Sequence, residues 1–92
     1  MASQTFALSG TGVTASSTVT LLAGERVIVR FTAAPQGRVN VVAALNSRTS
    51  RHPIGPDGFA SDAFVEGTVL SVELDGQGDN RSVCAGIIET GA

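Results

Sequence analysis

Apolar side chains recur at every second position through most of this chain, and that alternation narrows its possible folds more than any other feature. Phe6 and Leu8 alternate with polar neighbours, and Val13, Ala15, Val19 and Leu21 alternate with Thr14, Ser16, Thr18 and Thr20. Val27, Val29 and Phe31 stand against Arg26, Arg30 and Thr32; later come Val39, Val41, Ala43 and Leu45, then Leu70, Val72 and Leu74, and finally Val83, Ala85 and Ile87. A strand turns successive side chains to opposite faces, so this spacing of β-branched residues between turn clusters marks half-buried strands. By composition residues 39–45 could form a short buried helix, but their β-branched residues and flanking turns favour a strand. No window combines a 3.6-residue period with a cap. The expectation is an all-β chain, a small antiparallel β-sandwich or jelly-roll-like barrel of about six to eight strands.

The 92 residues make one domain, whose core must be aliphatic because the chain has four Phe and neither Trp nor Tyr. Cys84 is the only cysteine, so no internal disulfide can form. Between Val83 and Ala85 it reads as a small buried hydrophobe, with nothing nearby to activate the thiol. The opening residues have neither a basic nor an apolar signal region, and no apolar run is long enough to span a membrane as a helix. A protein kept in the cytoplasm before assembly is expected.

One turn suggests a register. Ala34-Pro35-Gln36-Gly37 suits a type I turn with a left-handed glycine, closing a three-residue hairpin loop. That hairpin would pair Phe31 with Val41, Val29 with Ala43 and Val27 with Leu45, all apolar on one face. Its other face would pair Arg30 with Val42 and Ile28 with Ala44, leaving an outward patch too apolar for free solvent. Loops of the chain itself or a partner would have to cover it.

Residues 46–62 read as one long irregular loop. Arg48, Arg51, His52 and Asp57 give it a mixed-charge tip, while Ile54 and Phe59 would anchor it. Such loops are functional or mobile, although a crossover between two sheets would also need one. A Ser-His-Asp set could be drawn from Ser50 or Ser61, His52 and Asp57, but no Gly-x-Ser-x-Gly elbow accompanies it. Paired Cys/His spacing is absent, so neither a catalytic residue, a metal nor a cofactor is assigned. Residues 75–80 resemble a calcium loop until its diagnostic glycine and glutamate positions, which hold Asn80 and Gly86; a polar hairpin turn is expected instead.

Residues 1–24 carry no charged side chain, whereas free strand edges usually carry charge or proline to prevent edge-to-edge pairing. Such a segment either lies centrally in a sheet or accepts another backbone. The net charge of −2 argues against a phosphate backbone as the main partner, and all six cations are Arg. The Met-Ala-Ser opening, the Leu-Leu-Ala-Gly-Glu-Arg-Val-Ile-Val-Arg-Phe entry at 21–31 and the Lys-free, Gly/Thr/Ala/Val-rich composition resemble small bacteriophage virion accessory proteins, the capsid decoration and tail or fibre modules. The resemblance implies a structural role on a virion and self-association, with a trimer as the expected homo-oligomer. Neither nucleic acid nor membrane is an expected partner. The alternative is a carbohydrate- or other ligand-binding module, which the lack of Trp and Tyr disfavours. Under the assembly reading the interface candidates are Ile28, Arg30, Val42, Ala44, Arg48, Arg51, His52 and Asp57.

Overall fold

The computed structural model describes residues 2–92. Its strands are β1 (Ala2–Ser9), β2 (Val13–Ala15), β3 (Val19–Thr20), β4 (Arg26–Phe31), β5 (Arg38–Leu45), β6 (Arg48–Ile54), β7 (Phe59–Ser61), β8 (Val69–Asp75) and β9 (Val83–Gly91). Sheet A runs β1-β9-β4-β7; sheet B runs β2-β8-β5-β6, with β3 also on β8. All pairings between these strands are antiparallel. With β2 and β3 taken as one interrupted strand, the first strand pairs with the last, the second with the one before it, β4 with β7 and β5 with β6. A long hairpin folded across itself into two sheets has this order, which is that of the jelly roll. The all-β expectation holds.

The core lies between the sheets. Val27, Val29 and Ile88 of sheet A meet Val41, Leu70, Val72 and Leu74 of sheet B, all at most 1% exposed. Leu21, on the way into β4, is buried with them. The turn that follows is held at both ends: Glu25 N–H donates to the Leu22 carbonyl (3.1 Å), and its carboxylate accepts from Leu22 N–H (2.9 Å).

The 34–37 hairpin does not form. β4 and β5 stand in opposite sheets, and the Pro35-Gln36-Gly37 segment arches between them. Gln36 remains bound to β9, exchanging two 2.8 Å hydrogen bonds with Val83. Gly37 then turns the chain at φ 107°, where a Cβ would press on Ser82 and Leu74. The predicted inward residues are nonetheless inward, with Val27, Val29, Val41 and Ala43 all buried. Two strands facing each other across a core show the same alternation as two strands lying side by side, so the pattern could not separate these arrangements.

Three further expectations change. Residues 46–62 are mostly strand: Asn46 and Ser47 adopt φ 51° and 65° as a tight two-residue turn, β6 pairs along β5, and β7 pairs with β4. Residues 75–80 form an arch from sheet B to sheet A, stitched to the 10–12 arch by Gly76 N–H to Gly12 O (3.0 Å) and Gly78 N–H to Thr11 O (2.8 Å). Finally, Val13 and Ala15 point outward and Thr14 inward. The register on β8 slips by one residue between Ala15 and Val19, a bulge that returns Val19 and Leu21 to the core. Ser16 bridges the slip, with its N–H on the Val72 carbonyl (2.8 Å) and its hydroxyl accepting from Val72 N–H (2.9 Å).

Candidate interaction surface

β9 is the central feature of sheet A; Cys84 is buried as expected, but the alternating set Val83, Ala85 and Ile87 is the outward one. Cys84, Gly86, Ile88 and Thr90 are buried, whereas Val83, Ala85, Ile87 and Glu89 face out. Gly86 explains the choice. Phe6 and Phe31, its neighbours on β1 and β4, meet edge to face above it with centroids 6.1 Å apart. A Cβ on Gly86 would overlap the Arg30 carbonyl oxygen, so no other residue fits there. Burial raises the pKa of the Cys84 thiol, in keeping with an unreactive core residue.

The outer face of sheet A is consequently apolar along much of its middle strand, with Arg26, Arg30 and Glu89 toward one end. One row runs Thr5, Ile87, Arg30; the next runs Ser3, Glu89, Ile28, Ala60. Ala7 beside Ala85 and Ser9 beside Val83 extend it, and Val83 is 44% exposed. Arg30 and Glu89 form an ion pair on it at 3.3 Å.

The outer face of sheet B has another chemistry. Arg38 is registered with Asp75, Asn40 with Glu73, and Val42 with both Ser71 and Arg51. The Arg51 Nε lies 3.2 and 3.3 Å from the two Glu73 carboxylate oxygens. The Glu73 side chain is only 11% exposed, so its charge is already answered by the protein. A shallow depression of about 530 Å³ lies here, lined by Arg38, Asn40, Arg51, Pro53, Glu73 and Asp75, among other residues, without an aromatic ring.

The sequence-derived patch is thereby divided. Ile28 and Arg30 lie outside sheet A, while Val42 and Ala44 lie outside sheet B, on opposite sides of the sandwich. Arg51 joins Val42 on sheet B through its Glu73 pair. Arg48 and His52 share the inward parity of β6, and Asp57 sits in the Gly55–Gly58 turn. These residues form no common loop tip.

His52 helps to close the flank between β6 and β7. Its ring meets Phe64 edge to face at 5.2 Å and lies 6.3 Å from Phe59. Ser50 Oγ is 2.9 Å from His52 Nε2, and no carboxylate is hydrogen-bonded to that ring among the described residues. An open cleft of about 820 Å³ adjoins it, with Arg48, Ser50, Phe64 and Val65 on its walls. Among the described residues no group of three or more His, Cys, Asp or Glu side chains converges, and no helix is long and apolar enough to cross a membrane.

Sequence reasoning missed Ile87 and Val83 as surface residues because β9 is apolar on both faces. The available signal was Gly86: a glycine between two apolar rows marks the face where neighbouring strands crowd the backbone. No family model, curated protein or solved structure matches the chain.

Proposed function

We propose that this protein is a structural assembly component that self-associates and docks on a larger protein array through the outer face of sheet A, as a capsid decoration or tail-associated protein of a virion does. The observation that carries the reading is the apolar row Val83, Ala85 and Ile87, placed outward on a central strand and flanked by Ile28, Ala7 and Ala60. Apolar residues grouped on a sheet face mark interaction surfaces, and the charges that flank this row, Arg26, Arg30 and Glu89, lie toward one end of it. Jelly rolls serve in viral capsids, lectins and cupins alike, so the surface rather than the fold selects among these roles.

A carbohydrate-binding module would use the depression on sheet B. Asn40 and Glu73 offer hydrogen-bonding groups there, but Arg51 already occupies the Glu73 carboxylate and no ring is present to stack on a sugar.

Light scattering over a concentration series tests the assembly reading. The wild type is expected to rise beyond a dimer in weight-average mass, whereas Ile87→Lys, which places a charge in the apolar row, should stop at or below a dimer without losing its fold. An unchanged mass profile in Ile87→Lys, or a wild type that stays strictly monomeric, would overturn it.

A further inference from the structure

The four sheet edges are not equivalent. β7 is three residues long, and β2 and β3 are three and two residues long with a bulge between them. β6 carries Arg48, Arg51 and Pro53. Shortness, bulges, charge and proline are the devices by which sheet proteins block edge-to-edge pairing. β1 has none of them. It is eight residues long, has no charged side chain and no proline, and among the described residues pairs on one side only, with β9.

The inner parity of β1 is also incompletely covered. Phe6 is buried, Ala2 and Leu8 are half-buried, and Gln4 is exposed although it shares the parity of the core. In a strand bounded by a further neighbour all four would be covered. The uncharged edge suits a copy of itself, because antiparallel self-pairing about a twofold axis brings each residue near its own type and punishes any charge with repulsion.

We propose that β1 pairs antiparallel with β1 of a second copy about a twofold axis at Thr5, joining two four-stranded A sheets into one continuous sheet. Matching the inner faces requires partners of equal parity. The Thr5 axis sets Ala2 against Leu8 of the second copy, Gln4 against Phe6, Ser3 against Ala7 and Thr5 against Thr5. Both half-buried inner residues then cover each other, and the axis holds a Thr–Thr pair, a favourable cross-strand combination. An axis at Phe6 gives equal overlap but leaves Ala2 without a partner and sets Gln4 against Leu8. The joined sheet would carry both apolar rows of β9 on one side, separated by the outward Ser3, Thr5, Ala7 and Ser9 of the two β1 strands, so this inference rests on the self-association reading while using a different contact.

An eight-residue edge is about 27 Å long and falls at the small end of interface sizes, which places the pairing in the transient class. Sedimentation equilibrium should therefore span ~10 µM to ~1 mM. In the Ile87→Lys background, where the face is disabled, the chain is expected to reach twice its 9.3 kDa mass. Adding Gln4→Lys, which places an inward charge at the edge, should hold it at monomer. In an uncharged Ile87→Ser background, so that no lysine lies beside residue 5, Thr5→Lys and Thr5→Glu should each be monomeric alone, and their equimolar mixture should regain the dimer. Gln4 and Thr5 are both exposed in the isolated chain, and thermal melts check that each variant keeps its fold.

A mixture that stays monomeric, or a dimer or trimer that survives Gln4→Lys, would overturn the edge pairing. So would an Ile87→Lys chain that is monomeric throughout while the wild type associates, a result that leaves the face reading standing. A strictly monomeric wild type removes both.

Discussion

The two outer sheet faces are built on the same alternation and have opposite relations to water. On sheet B, arginine and carboxylate answer each other, and Asn40, Ser71 and Glu73 are buried at 8–9% exposure by their own neighbours. On sheet A, the central strand turns Val83, Ala85 and Ile87 outward and supplies Glu89 as its one charge. Sheet B also turns Val42 and Ala44 outward, and Val13 at its β2 edge is 62% exposed, but these stand among paired charges; on sheet A the apolar row occupies the central strand itself. A sandwich of this size has to bury only the inner face of each sheet, so an apolar outer row adds nothing to its own core. That difference, more than any single residue, is what supports the proposed contact surface.

The sharpest way to break this assignment lies on β4, where two adjacent residues face opposite ways. Val29→Asp places an unpaired carboxylate in the core and should destabilise by about 4 kcal/mol or more, enough to unfold a marginal domain. Ile28→Asp should leave a folded protein. Urea denaturation separates them, and equal loss would mean that the outer face of sheet A is interior.

Next in size is Gly86→Ala. The added methyl meets the Arg30 carbonyl oxygen and the Phe31 Cα, so β4 and β9 must part. A loss of about 3 kcal/mol in the same assay is expected from this overpacking. A smaller pair of effects compares the ion pairs of the two faces. Glu73→Gln should cost about 1 kcal/mol because its carboxylate is buried against Arg51, while Glu89→Gln should cost about 0.3 kcal/mol because Arg30 and Glu89 are more exposed. Chemical denaturation at low and high salt checks both.

How much of this was legible beforehand follows from what alternation encodes. Period-2 spacing reports which side chains share a face, and Val27, Val29, Val41, Leu70, Val72 and Leu74 are accordingly all buried. It carries no information on which strand lies beside which. The 31–41 pairing therefore failed even though its inward residues were right, because jelly-roll neighbours such as β1 and β9 lie at opposite ends of the chain. Parity itself becomes unreadable where both faces are apolar, as on β9, or where a bulge intervenes, as between Ala15 and Val19. The charge-free amino-terminal quarter was the better signal. Its residues became the edges of both sheets, and only β1 lacks an edge-blocking device.

The central claim is that association runs through sheet A and not through sheet B, and one paired measurement tests it. Sedimentation velocity at matched high concentrations compares Ile87→Lys with Val42→Lys, a charge added to the middle of each outer face. Both should keep the wild-type melting temperature within a few degrees. The account predicts that Ile87→Lys loses the species beyond a dimer while Val42→Lys retains them. Association lost in Val42→Lys and retained in Ile87→Lys would contradict it.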